Sequence, residues 1–480
     1  MRKNLIRNLF YVFAFAVLFS CSSGNNNDIL TYTTDATLGL SRVNLNKISD
    51  KIPVEKILKE KKDLNNDEKF FLQLVNKPKE SGIDIDQPLY FIADPGKSTY
   101  DPDIKAFFWI DDKAKFQKSM SDLTKSKVTI DKKDYIYVDS KLTGSIKGKI
   151  AVVSSDYSYS NPYNSYSSGS ENVSKLNEKY FTDFWGRKGT ANSAIKDQVN
   201  KSLVSDKDIS GWMNIASVAS FASKGYIETL AVNKLIKDSG IGFDFNFDKG
   251  TSEMDTKTFF NNDMKKIVEK YYDKNSINYD LVKNVDLDQA KSFSLGFFSL
   301  DFMKYLIKEA GFEATINHYL ASTNKTLEDI TSTFTGDYAF VEFKQPTDSM
   351  DYYRSNNAFV LGFNPKNKAQ LTTFLQGPLG EGKKYVIGDN QVIFSEDNKA
   401  IYQFKGKKES KNSKLNKKSG ITAYSWSDGK DYNSNKENSS VKIIDVVNES
   451  KEDNGDMVSK TVFTLDKKDE NALYYLIMNG

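Results

Sequence analysis

Asp35-Ala36-Thr37-Leu38-Gly39-Leu40-Ser41-Arg42-Val43-Asn44-Leu45-Asn46 alternates as a strand and then turns into a helix carrying Ile48, Ile52, Ile57 and Leu58. Period-two alternation giving way to apolar residues three to four apart marks the change from strand to helix. Far downstream, Phe293-Ser294-Leu295-Gly296-Phe297 runs into Leu300-Asp301-Phe302 and a helix with Tyr305, Leu306 and Ile307. The two openings share one grammar, and the elements after each keep the same order.

Leu89-Tyr90-Phe91-Ile92-Ala93 is matched by Tyr338 to Phe343, and Lys105 to Ile110 by Ala358 to Phe363. The next helices are entered at Asp111 or Asp112 and at Asn364-Pro365, sound starts because Asp and Asn cap and Pro suits the first helical position. A hairpin comes after each helix: Tyr135 to Val138 with Lys149 to Val153, and Lys384 to Ile387 with Gln391 to Phe394 and a further strand, Ala400 to Phe404. Ile209-Ser210-Gly211-Trp212 parallels Ile421 to Trp426, and each half closes on paired strands and a helix, with Asp453-Asn454-Gly455 as a hairpin turn. This order predicts an α+β fold of two tandem, similar halves, 35–285 and 286–480, each a mainly antiparallel sheet with helices packed on one face. Too few strands lead into crossover helices for a doubly wound parallel sheet. The first half is longer at Tyr157 to Ser170 and between Asn214 and Ser239, and Lys405 to Lys418, with seven lysines, reads as a solvated loop.

Outward from the repeat, the N-terminus carries an address. Arg2, Lys3 and Arg7 precede an apolar run, Leu9 to Phe19, that is too short to span a bilayer, which takes about 20 apolar residues. Residues 1–20 therefore read as a signal peptide. Leu18-Phe19-Ser20-Cys21 resembles a bacterial lipobox, which implies a diacylglyceryl thioether on Cys21 and an acylated amino terminus, with 21–34 as a lipidated tether. Cys21 is the only cysteine of 480 residues, so no intramolecular disulfide can form even in an oxidising compartment. Ser22 after the anchor resembles outer-membrane lipoproteins. Either face of that membrane fits the tether.

Composition narrows the partners. The sequence holds 67 Lys and Arg against 64 Asp and Glu; without Arg2, Lys3 and Arg7 the two are equal. A sequence-independent nucleic-acid binder would show a basic excess, so nucleic acid is excluded as a partner.

The lipobox, the opening strand from Asp35 to Leu45, Asp208-Ile209-Ser210-Gly211-Trp212, Phe245-Asn246-Phe247-Asp248-Lys249-Gly250 and the closing Asn471-Ala472-Leu473-Tyr474-Tyr475-Leu476 together resemble the DUF4836 lipoproteins of Bacteroidetes. The resemblance spans nearly the whole mature chain, implies envelope localisation and brings no active residue with it. Asp348-Ser349-Met350 is similar to the short O-glycosylation pattern of exported proteins in that phylum, which would place a glycan on Ser349.

No catalytic constellation emerges. His318 is the only histidine, in a helical stretch with no activated hydroxyl or thiol partner. One histidine and one acylated cysteine cannot build the common zinc sites. Asp84/Asp86, Asp101/Asp103, Asp111/Asp112 and Asp286/Asp288 lack the spacing of calcium loops and suit turns and caps. Gly377-Pro378-Leu379-Gly380-Glu381-Gly382-Lys383 runs from helix to strand, the reverse of a phosphate loop. No cofactor and no metal are expected. Among 26 Tyr, 32 Phe and 4 Trp, Trp212 and Trp426 hold matching places in the two halves, as core anchors or, alternatively, as ligand-stacking residues. The expectation is a non-enzymatic envelope lipoprotein that binds a protein or glycan partner. The rival is a carboxylate-based glycan hydrolase, which needs only two suitably spaced carboxyls.

Overall fold

The computed structural model describes residues 29–62, 64, 66–96, 102–154, 176–203, 206–272, 276–321, 324–344, 356–376, 384–396, 398–404, 412–429 and 442–479. The signal peptide, Cys21, the tether to residue 28, Ser349 and the Gly-rich stretch 377–383 lie outside them.

The first compact unit comprises the described residues within Met1–Thr229, Ile236–Phe259 and Lys468–Gly480. Its strands are β1 (Gly39–Val43), β2 (Leu89–Asp94), β3 (Asp103–Trp109), β4 (Val128–Ile130), β5 (Tyr135–Val138), β6 (Lys141–Lys147), β7 (Ile150–Ser154), β8 (Ile209–Asn214), β9 (Gly240–Asp248) and β10 (Thr251–Phe259). Antiparallel pairing places them in the order β4-β5-β6-β7-β3-β2-β1-β8-β9-β10. The C-terminal helix Ala472–Asn479 belongs to this unit: Lys56 Nζ meets Glu470 at 2.6 Å and Tyr474 donates to Glu60 at 2.5 Å.

The second unit comprises Leu230–Leu235 and Phe260–Lys467. It holds β11 (Ala290–Phe297), β12 (Phe334–Phe343), β13 (Asn357–Phe363), β14 (Lys384–Ile387), β15 (Gln391–Ser395), β16 (Ala423–Ser427), β17 (Ile443–Asp453) and β18 (Asp456–Leu465). Here the order is β14-β15-β13-β12-β11-β16-β17-β18.

Helices packed on an antiparallel sheet hold as expected; separate tandem halves do not. The eighteen strands among the described residues belong to one continuous antiparallel sheet. A sheet that stopped at the repeat boundary would expose a row of unpaired N–H and C=O groups, and pairing removes that edge. Covering on one face alone also gives way in the first unit. Successive residues of a strand point to opposite faces, and Phe107 packs on Phe184 of helix Glu178–Trp185 while Phe108 packs on Phe116 of helix Lys113–Thr124, both at 5.8 Å between rings. Burying both faces explains why β2 and β8 hide nearly every residue.

Local chemistry explains several elements. Asp112 caps its helix, its carboxylate accepting from the backbone of Ala114 and Lys115 at 2.9 and 3.0 Å. Asn454 and Gly455 both take positive φ, 52° and 79°, the twist a two-residue hairpin needs between β17 and β18. Ala400 to Phe404 is not the expected strand: Asn398–Gln403 is a helix, and Ala400, Ile401 and the following Phe404 enter the core of the second unit while Tyr402 is left exposed. A five-residue stretch of four apolar residues and Gln403 is too short for its period to separate the two outcomes, and the core chose.

Candidate functional site

Both tryptophans are held inside the fold. Trp212 on β8 stands opposite Leu40 of β1, is 1% exposed, and donates its indole N–H to Gln198 at 3.1 Å. Gly240 of β9 lies so close that a Cβ there would overlap Trp212 Nε1 and Gln198 Oε1. Trp426 on β16 stands opposite Phe293 of β11, 9% exposed, with the two rings stacked 5.9 Å apart. Lys414 places its ammonium 3.9 Å from the Trp426 ring and donates to the carbonyls of Asp288 and Ala290. Burial and the neighbouring Lys344 lower the Lys414 pKa, against the pull of Asp288 and Asp428. The end of the lysine-rich stretch is therefore packed structure, not a solvated loop: Leu415 is buried and Tyr424 donates to the Lys414 carbonyl.

The densest polar chemistry gathers residues that the sequence keeps apart. Where β2 ends and β3 begins, Lys105 lies buried between Asp94, at 2.9 Å, and Asp103. Arg187, just beyond helix Glu178–Trp185, reaches Asp94 at 2.7 Å, and Thr37 donates to the other oxygen of that carboxylate at 2.9 Å. Ser154 and Tyr180 both donate to Asp103, the former at 2.6 Å. Two anions and two cations balance, and each carboxylate also receives hydroxyl donors, which is what buried ion pairs need to be tolerated. The Phe184 ring adds a face 5.5 Å from the Lys105 ammonium and 5.0 Å from the Arg187 guanidinium.

This arrangement suits structure better than hydrolysis. Burial drives the Asp94 carboxyl upward, but the charges of Lys105 and Arg187 outweigh it and hold Asp94 below the usual carboxylate range. A general acid needs the opposite shift, and both carboxylates are already engaged by the buried Lys105. Because the folded Asp94 titrates below the unfolded carboxyl, near pH 4, its stabilisation is complete above that pH. It is lost as pH falls through the depressed folded value. Denaturation midpoints followed from pH 6 to pH 2.5 are expected to fall more steeply for the native chain than for Asp94→Asn; parallel curves would remove Asp94 from the acid response.

In the second unit, register builds a surface that the sequence does not display. Residues directly opposite on antiparallel strands share a face, and one row crosses six strands: Phe359, Phe340, Ser294, Ser425, Asn448 and Thr461. At the ~4.8 Å strand spacing it is about 24 Å long. Flanking it on the same face are Tyr338 and Ser450 on one side and Glu342 and Ser292 on the other. Asn448 donates to Ser459 and Thr461 at 2.7 and 2.8 Å, and Ser292 donates to Glu342 at 3.2 Å. Phe359 is 40% exposed, and Ser294, Ser425 and Asn448 are half-buried. The opposite face carries the core residues Phe293, Leu295, Val341, Val360 and Trp426. His318, on helix Glu313–Ala321, is exposed beside Tyr319.

Among the described residues no group of three or more His, Cys, Asp or Glu side chains is placed to hold a metal ion. No family model and no curated protein matches the chain. Among solved structures, one titled "Structure of crystal form III of TP0453" is similar at 8% identity, covering 52% of this chain and 88% of that one, with a TM-score of 0.29. A likeness of that size leaves fold and function to the chain's own residues.

Proposed function

We propose that this is a lipid-anchored protein of the bacterial outer membrane, related to the DUF4836 lipoproteins, that binds a glycan and does not transform it. The anchor rests on Leu18-Phe19-Ser20-Cys21. The binding role rests on the row from Phe359 to Thr461. Aromatic faces stack on the C–H faces of sugar rings, while hydroxyl and amide groups both donate to and accept from sugar hydroxyls and a carboxylate accepts from them. Phe359 and Phe340 offer the first at one end, and Ser294, Ser425 and Asn448, with Ser292 and Glu342 beside them, offer the second, while Thr461 at the far end is buried.

Its test is binding of the full chain to an array of neutral oligosaccharides, with Phe359→Ala compared against the native residue. The variant is expected to lose about tenfold or more in affinity, the scale of an interface anchor. Its thermal midpoint should barely move, because the side chain is 40% exposed. If no oligosaccharide binds, or binding ignores Phe359→Ala, the row is an ordinary half-solvated sheet face.

A further inference from the structure

Helix Ile215–Ala222 of the first unit reads IASVASFA, and none of its residues is fully buried. A surface helix normally hides an apolar stripe and shows water a polar face; one apolar on nearly all sides belongs in a core or in lipid. Only Ser217 and Ser220 break this one. After it comes a single turn, Tyr226–Thr229, whose Tyr226 is 66% exposed. Lys224 and Lys237 stand at the surface nearby, the pairing of apolar body and basic rim seen where helices lie in a bilayer interface.

The position of this helix is tied to the anchor. Asn214 Nδ2 and Ser217 Oγ both donate to the Asp35 carbonyl, at 3.1 and 2.8 Å. Asp35 lies six residues beyond Ile29, the first described residue, which is buried in the core of the first unit. From Cys21 to Ile29 is eight residues, which span at most about 29 Å when fully extended. An acylated Cys21 therefore keeps the bilayer surface within that reach of the chain's entry into the fold, and the apolar helix is fastened to the same entering segment.

We propose that the segment from Ile215 to Thr229 lies against the membrane that holds the anchor, with Val218, Phe221 and Tyr226 entering the lipid headgroup region; the inference rests on acylation of Cys21. The contact would orient the first unit on the bilayer, a restraint a flexible tether does not supply.

Acylation consumes the Cys21 thiol, so one introduced cysteine is the sole reactive one. Full-length lipidated chains carrying Val218→Cys or Lys118→Cys, the latter at an exposed position of helix Lys113–Thr124, would be labelled with a small fluorophore. Each would be reconstituted in phosphatidylethanolamine and phosphatidylglycerol vesicles containing brominated lipid, after circular dichroism has shown an unchanged fold. Quenching at position 218 is expected to exceed that at 118 at least twofold. Equal quenching in an anchored chain overturns this inference and leaves the anchor standing. A chain that does not stay with the vesicles overturns the anchor and this inference with it.

Discussion

A Cys21→Ala chain is expected to leave the membrane fraction almost entirely, falling from nearly all of the protein to less than about a tenth. Each buried acyl methylene contributes about 0.8 kcal/mol, so three chains hold firmly where one is marginal. Among the described residues no helix is long and apolar enough to cross a membrane. The membrane contact proposed for Ile215 to Thr229 is one short helix and a turn, set against three acyl chains. Fractionation after a high-salt wash is the measurement, and a variant that still pellets with membranes would mean that the lipobox reading of Leu18 to Cys21 is wrong.

Lys105→Met is expected to destabilise the first unit by about 3–5 kcal/mol, the range for breaking a buried ion pair by removing one partner. The side chain is 1% exposed, and its loss leaves Asp94 and Asp103 facing one another with Arg187 as the remaining cation. Methionine keeps much of the volume, so the cost is chiefly electrostatic. Adding Asp103→Asn should return part of the loss, because the second uncompensated anion goes with it. Urea unfolding followed by near-ultraviolet circular dichroism separates these outcomes, with Trp109, Trp185 and Trp212 reporting on the first unit and Trp426 on the second. A loss below about 1 kcal/mol would show that Lys105 does not hold these strands together.

The surface proposed for glycan depends on register. Phe359 and Thr461 stand 102 residues apart in the chain, and no spacing rule joins them; a one-residue slip in any of five strand pairings would turn the next strand's side chains to the other face. The buried quartet is the same kind of object: Asp94 and Arg187 are 93 residues apart. The sequence displayed there only a charged Asp94, Asp103 and Lys105 in or beside strands, an unusual placement that signals a buried pair once the strands are recognised.

Alternation, capping residues and turn chemistry are local, and they made most elements legible: the strand from Gly39 to Val43, the helix after Asp112, the hairpin at Asn454-Gly455. The proposed export address likewise rests on neighbouring residues alone, the apolar run and Cys21. Where local signals were short, as at Ala400 to Phe404, the core decided between helix and strand. Whether the strands formed two sheets or one, which side of Trp426 the Lys414 ammonium would cover, and which hydroxyls would line up beside Phe359 were all decided by the tertiary structure. These outcomes depend on hydrogen bonds and burial between residues distant in the chain, whose free energy exists only once the segments have met.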